Sequence, residues 1–314
     1  MKTLITGIAG LTGSYLVERC LAEGEQVIGI DNLFRGTMNN LENVIDNKNF
    51  EFIKGDILDI DKMELKDIDR IYHLAAIVPT KYFYEAPVDT YMVNCHGTKV
   101  MIDWALKNDV EKFVNASSSE IYGHPQRIPT DELTPTLYDA VEITPRWSYA
   151  QGKILTEHIG NYYKDRIDIC HLRYANVYGP RDIDDNHVIP YLINRVLRGE
   201  KIIINKDADK IKRTFLYMSD CSDATYLAMK NSPSGESYNI ASSQEVTIQQ
   251  LLDMIFKITG KTTEVEYSLH RKGDPKRRFL DTTKAKKMLG MEIKVSLEDG
   301  IRKTSEWIKE HYNL

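Results

Sequence analysis

Cysteine is scarce in this sequence and widely scattered: Cys20, Cys95, Cys170 and Cys221, with no CxxC among them. That spacing excludes a disulfide framework and a cysteine-based zinc site, and it predicts reduced thiols in a cytoplasmic protein. The eight histidines lack HxxxH and HxH spacing, so no metal is expected. No stretch approaches the ~18 uninterrupted apolar residues of a membrane span, and the opening MKTLITGIAG lacks the apolar core of a signal peptide. Repeats and low-complexity tracts are missing too. Positive charge does not dominate: the formal net charge of −5 argues against a general nucleic-acid binder, although RKGDPKRR (271–278) is dense enough to take a phosphate. What remains is an ordinary globular composition, 42% hydrophobic and 28% charged over 314 residues. That length suits one large domain or two intimate ones.

What is present is rhythm. KTLIT (2–6), QVIGI (26–30), FEFIKGD (50–56), RIYHLAA (70–76), KFVNAS (112–117) and DICHLRYANV (168–177) are short β-branched, apolar runs. Helix-like stretches separate them at roughly 13–23, 59–66, 85–107 and 148–164. Such alternation predicts an α/β fold: a Rossmann-type, doubly wound parallel sheet with helices on both faces. From about 178 the rhythm changes. Helix-like HVIPYLINRVLRG and SDCSDATYLAMKN alternate with short strands such as KIIIN and SYNIA, and helices follow near 247–259 and 296–312. The expected organisation is a dinucleotide-binding domain over 1–177 and a smaller α/β C-terminal substrate lobe over 178–314, with the chain crossing back between lobes.

The first strand runs into Gly7-Ile8-Ala9-Gly10-Leu11-Thr12-Gly13 and then a helix. Glycines in a GxxGxxG turn allow a tight reversal and let a pyrophosphate approach the helix N-terminus. A glycine-rich turn with no ligand is the plain alternative. Eighteen residues past Gly13, at the end of the second strand, Asp31 can accept both adenosine ribose hydroxyls and repel a 2′-phosphate. That selects NAD over NADP, with Arg35 working slightly against the choice. Asp56, at the end of the third strand, is placed to reach an adenine.

In WSYAQGK (147–153), Tyr149 and Lys153 fall one helical turn apart. A phenol with pKa near ~10 is inert as a base at neutral pH unless a cation stabilises its phenolate. Chance alone supplies ~2 such pairs in a chain of this composition, most of them on solvated helix faces.

Ten segments in order, nearly end to end, resemble the extended short-chain dehydrogenase/reductase family, specifically its NAD-dependent nucleotide-sugar epimerases and dehydratases. They are TGIAGLTG (6–13), DN (31–32), GDI (55–57), HLAA (73–76), VNCHGT (93–98), SSSEIYG (117–123), YAQGK (149–153), LRYANVYGPR (172–181), RTFLYMSD (213–220) and RKGDPKRRFLDTTKAKKMLG (271–290). The resemblance implies that NAD is held by Gly7, Gly10, Leu11, Thr12, Gly13, Asp31, Asn32, Asp56, Ile57, Leu74, Ala75, Ala76, Asn94, Tyr149, Lys153 and Tyr174. It makes Tyr149 the catalytic base and Lys153 its partner. Lys153 and the positive nicotinamide would both pull the phenol toward the working pH. Ser118 matches the family's Ser/Thr that bonds the reacting sugar hydroxyl, its plain alternative being a strand-end serine satisfying backbone groups. Asn176, His187, Val188, Arg213, Arg271 and Asp274 are implied substrate contacts, two guanidiniums forking onto phosphate oxygens.

The implied chemistry oxidises the sugar C4 hydroxyl to a 4-ketone, from which several outcomes branch. A nucleotide-sugar 4-epimerase is the leading expectation. Glu120, a carboxylate beside the ketosugar, leaves open a GDP- or UDP-sugar 4,6-dehydratase or a UDP-glucuronate decarboxylase, in which it removes the C5 proton or assists at C6. A net 4-dehydrogenase is a third outcome, and a non-catalytic NAD-sensing protein the remote one. Where relatives read like IYGDG this chain has IINKDADK (203–210), so the base contact does not transfer and UDP- and GDP-linked substrates both stay open. The helices at 85–107 and 148–164 resemble those that pair between family subunits, implying a homodimer.

Overall fold

The computed structural model describes residues 1–78, 80–182, 187–269 and 275–314. Seven strands form its central sheet: β1 (Lys2–Thr6), β2 (Gln26–Asp31), β3 (Phe50–Lys54), β4 (Arg70–His73), β5 (Lys112–Ser118), β6 (Asp168–Tyr174) and, much later in the chain, β11 (Glu236–Ile240). They lie in the order β3-β2-β1-β4-β5-β6-β11, and every neighbouring pair is parallel. These strands are nearly unbroken apolar runs because both sheet faces are covered. Ile5, Tyr72, Val114 and Leu172 point into one core, shared with helices α1 (Leu11–Ala22) and α6 (Met218–Asn231). Their neighbours Leu4, Ile71, Phe113 and Ile169 point the other way, toward Met101, Ile102 and Trp104 of α3 (Pro87–Lys107). On that second face α3 packs along α4 (Ser148–Tyr163), with the short α2 (Thr80–Glu85) beside them. Strand order reverses between β1 and β4, so the crevice at their C-terminal ends is where an open α/β sheet takes a ligand.

After β6 the chain leaves the sheet. Helices α5 (Val188–Arg198), α7 (Ile248–Thr259) and α9 (Leu297–Tyr312) close a second core around Leu192, Ile202, Leu251, Ile255 and Ile301. Three two-stranded pieces edge this lobe: β7 (Val177–Tyr178) with β10 (Leu216–Tyr217), β8 (Ile202–Asn205) with β13 (Val265–Ser268), and β9 (Lys212–Thr214) with β12 (Glu245–Thr247). Thr247 and Gln250 form a reciprocal capping box that fixes where α7 starts. Between these pieces the chain returns to the first core: α6, β11 and α8 (Thr283–Leu289) all pack there, through Cys221, Ile240, Ala285 and Leu289.

Two local differences from the sequence expectation have physical causes. The stretch expected as a helix over 59–66 is instead a 3₁₀ segment, Ile57–Lys62, capped by the Asp56 side chain and kinked at Asp59. The sequence reading also passed over α8, whose single turn-spaced apolar pair, Ala285 and Leu289, is too short a signal to see alone. Among the described residues no helix is long and apolar enough to cross a membrane, and no group of three His, Cys, Asp or Glu side chains is arranged to hold a metal.

Candidate active site

β1 ends at Thr6 and α1 begins at Leu11, so four residues must reverse the chain. Gly7 does so at φ +70°, and a Cβ there would stand 2.8 Å from the Ala75 nitrogen. A Cβ on Gly13 would sit 2.4 Å from the Gly7 carbonyl oxygen. Gly10 opens α1 without a side chain to cap it, so the first-turn amides of Leu11, Thr12 and Gly13 remain for an outside acceptor, where the helix dipole favours an anion. Asp31 is buried and accepts from the Ala9 amide (3.0 Å) and the Leu33 amide (2.8 Å), which ties the end of β2 to the glycine turn. Burial raises its pKa while those two amides oppose the rise. A dinucleotide pyrophosphate and ribose suit this cradle: small residues, outward amides and a carboxylate one strand away. Gly13→Val is expected to weaken NAD affinity at least ~100-fold, because the new side chain meets fixed backbone; isothermal titration with NAD reads it.

The rest of the crevice wall is built from short ties. Asn32 donates to Asp56 (3.0 Å), and Asp56 in turn caps Leu58 (3.0 Å) at the start of the 57–62 segment. Ile57 is buried against α3 at Gly97. Leu74, Ala75 and Ala76 leave β4, with the Ala75 amide held by the Thr6 hydroxyl (3.2 Å). Asn94 of α3 grips Ile77 at both ends, accepting from its amide at 2.7 Å and donating to its carbonyl at 3.0 Å. The Tyr174 hydroxyl is bonded to Thr225 of α6 (2.8 Å).

β5 delivers Ser118 to the crevice. Its hydroxyl accepts from the Glu120 amide (3.2 Å), so it does cap the turn that follows. α4 then presents Tyr149 and Lys153 on one face, the ammonium 6.0 Å from the Tyr149 ring centre and donating to the Ala116 carbonyl at 2.6 Å. Phe83 of α2 stacks on the Tyr149 ring, centroids 4.7 Å apart and planes 10° off parallel. Burial pushes the Tyr149 hydroxyl well above its ordinary value; Ser118 and Arg35 oppose the rise and Glu120 adds to it. Burial also draws Lys153 down to about 8, against the pull of Glu157. Within the chain alone burial is the largest influence and Tyr149 is a phenol; the expected joint pull of Lys153 and the positive nicotinamide concerns the cofactor-loaded site.

Glu120 sits in an ionic cluster. Its carboxylate bridges two buried arginines, 2.6 Å from Arg278 Nη1 and 3.0 Å from Arg146 Nη2. Burial would raise its pKa, but Arg278 and Arg146, with Arg213 behind them, bring it down to about 2. Glu120 is an anion clamped between cations. Arg278 still has its Nε and Nη2 hydrogens without an acceptor among the described residues. Arg146, Arg278 and Phe83 were missed from sequence. Nothing in PRW or KRR marks those arginines as partners of a glutamate that lies 158 residues from one of them.

The expected substrate contacts divide. Arg213 is buried and donates to the Pro275 carbonyl (2.7 Å) and the Lys276 carbonyl (3.1 Å), so it holds the backbone at 275–276. Asn176, at φ +41°, donates to the Thr214 carbonyl (2.9 Å). His187 lies 2.9 Å from buried Asp182 and Val188 opens α5. Arg271 and Asp274 lie outside the described residues.

A family model for GDP-mannose 4,6 dehydratase matches residues 4–304. The chain belongs to this family of NAD-dependent nucleotide-sugar epimerases and dehydratases. It is similar to a UDP-glucose 4-epimerase of Mycolicibacterium smegmatis, with 34% identity across 98% of this chain and 99% of the relative. A UDP-glucuronic acid decarboxylase of Xenopus tropicalis is 33% identical, covering 98% of this chain and 72% of that one. Among solved structures, the UDP-glucuronic acid 4-epimerase of Bacillus cereus, crystallised with UDP-glucuronic acid and NAD, superposes with a TM-score of 0.90 at 31% identity, covering 99% of this chain and 100% of that one. Family membership makes the chain an enzyme of the extended short-chain dehydrogenase/reductase type, with a Rossmann-like sheet as described.

Proposed function

We propose that this epimerase/dehydratase family member oxidises C4 of a nucleotide-linked hexuronate and returns the hydride to the opposite face, as a 4-epimerase. The observation that carries the reading is the convergence of Ser118, Tyr149 and Lys153 on the crevice that the glycine cradle also faces. Bound NAD supplies the hydride acceptor. Tyr149 takes the C4 hydroxyl proton, Ser118 orients that hydroxyl, and Lys153 holds positive charge beside the developing phenolate. Asp31 accepts from the adenosine ribose, and the amides of Leu11, Thr12 and Gly13 meet the pyrophosphate. The lobe over 178–314 carries the nucleotide end of the substrate.

The acidic sugar is read from Arg278, which pairs with Glu120 two residues past Ser118 and keeps donors without an acceptor among the described residues. A C6 carboxylate would take the open Arg278 donors. The same cluster favours a second reading, decarboxylation of the 4-keto intermediate, because a C6 carboxylate held there sits β to the new ketone. Product NMR separates them. With UDP-glucuronate, inversion at C4 with no gas release is expected; release of CO2 and a UDP-pentose would establish the second reading, and turnover of neutral UDP-hexoses alone would remove the acidic sugar.

Val88 and Met92, one turn apart on α3, are exposed, as is Tyr162 on α4, and we propose a homodimer through these two helices. The four free thiols fit a reducing, cytoplasmic setting.

A further inference from the structure

Glu157 has no part in the reading above, yet it is a buried carboxylate on the same helical face as the catalytic pair. Tyr149, Lys153 and Glu157 recur every four residues along α4, so their side chains stack one turn above the next. Each turn is tied to the end of β5. Ser118 acts on the Tyr149 hydroxyl, the Ala116 carbonyl accepts from Lys153 Nζ at 2.6 Å, and Ser117 donates to Glu157 Oε1 at 2.5 Å. Arg173 of β6 closes the arrangement from behind, donating through Nε to Oε1 (3.0 Å) and through Nη2 to Oε2 (2.7 Å).

We propose that Glu157 is a positioning residue for the C4 oxidation: bonded to Ser117 and Arg173, its carboxylate holds the end of β5, and with it the Ala116 carbonyl that takes Lys153 Nζ, in register with α4. The proposal rests on the Tyr149–Lys153 reading and adds a third member to it. Glu157 is the anion that opposes the fall of Lys153. The other groups around Lys153 do not replace it. His73 of β4 is bonded to Thr6 (2.9 Å) and Thr98 (3.1 Å), and burial followed by the Lys153 charge brings it to about 3, so it is neutral. His171 of β6 is neutral as well, brought by burial to about 4. Arg173 is a cation, α3 offers Tyr91 and Asn94 beside Gly152, and Glu120 of the 119–122 turn is already spent on two arginines.

Glu157→Gln leaves Arg173 buried without its anion, which destabilises the fold. Glu157→Gln combined with Arg173→Met removes the pair as a neutral unit. The Lys153 side chain is followed by 13C NMR of lysine-labelled protein, assigned with Lys153→Arg, alongside kcat and KM from pH 6 to 10. In the folded double variant Lys153 is expected to titrate about one pH unit lower. The alkaline limb of kcat should move with it, and kcat at pH 8.5 should drop several-fold with KM unchanged. Glu157→Asp should restore part of the shift. A Lys153 titration and a kcat limb both at wild-type positions in the folded double variant would overturn the proposal. The NMR titration needs no turnover. If it moves while Tyr149→Phe enzyme still turns over, the base assignment is overturned and the Glu157–Lys153 coupling is supported.

Discussion

Tyr149→Phe is expected to lower kcat by about 10³-fold or more, the upper range for losing a positioned acid–base group, while NAD affinity falls by less than ~3-fold. The asymmetry follows from where the hydroxyl sits. The ring is fixed by its stack on Phe83, so phenylalanine fills the same space. The cradle lies a strand away and is untouched. Stopped-flow absorbance at 340 nm with substrate, alongside NAD titration, reads both quantities. The wild-type phenol starts from an unfavourable position, because burial holds it protonated in the chain alone. Ultraviolet titration should therefore show ionisation of Tyr149 moving to lower pH when NAD is added. Turnover surviving in the phenylalanine variant would remove the base.

The second large effect belongs to Glu120. Taking its charge away leaves Arg146 and Arg278, both under a tenth exposed, without the carboxylate they share. Removing one partner of a buried ionic cluster typically costs about 3–5 kcal/mol, on the order of 5 °C of melting temperature for a chain this long. Glu120→Gln should show that loss at pH 7. Its folded pKa lies below its ordinary 4.5, at about 2, so the stabilisation is complete above 4.5 and lost as pH falls toward 2. Melting curves of wild type and variant should therefore converge across that window. Equal melting temperatures at pH 7 would show that the cluster is not the strong ionic centre the distances describe. Arg278→Met should raise KM for UDP-glucuronate at least ~10-fold and leave neutral sugars little affected, since it deletes the donors assigned to the carboxylate.

Local chemistry was legible in the sequence; long-range pairing was not. Gly7, Gly10 and Gly13 announce a turn because the backbone demands them within seven residues, and Tyr149 and Lys153 are neighbours by helical period alone. The parallel sheet was readable from unbroken apolar runs. Nothing local, however, tells Glu120 that it meets Arg278, or Phe83 that it covers Tyr149; those contacts arise from how β5, α2 and the C-terminal segment pack. Glu120 looked like a free acid because its neighbours in sequence are Ser119 and Ile121, and the guanidiniums that disarm it come from elsewhere. Glu157 was overlooked for a related reason. Lys153 and Glu157 in isolation read as an ordinary surface ion pair, and only burial gives the carboxylate a purpose.

The late return of β11 to the flank of β6 has an engineering consequence. A fragment stopped at the end of β6 would keep the entire glycine cradle yet expose a raw ladder of backbone amides and carbonyls, an invitation to stick to itself. The boundary between the two cores is crossed several times by the chain. Modular grafting of this enzyme's sugar preference onto a foreign nucleotide module would have to bring that flanking strand along.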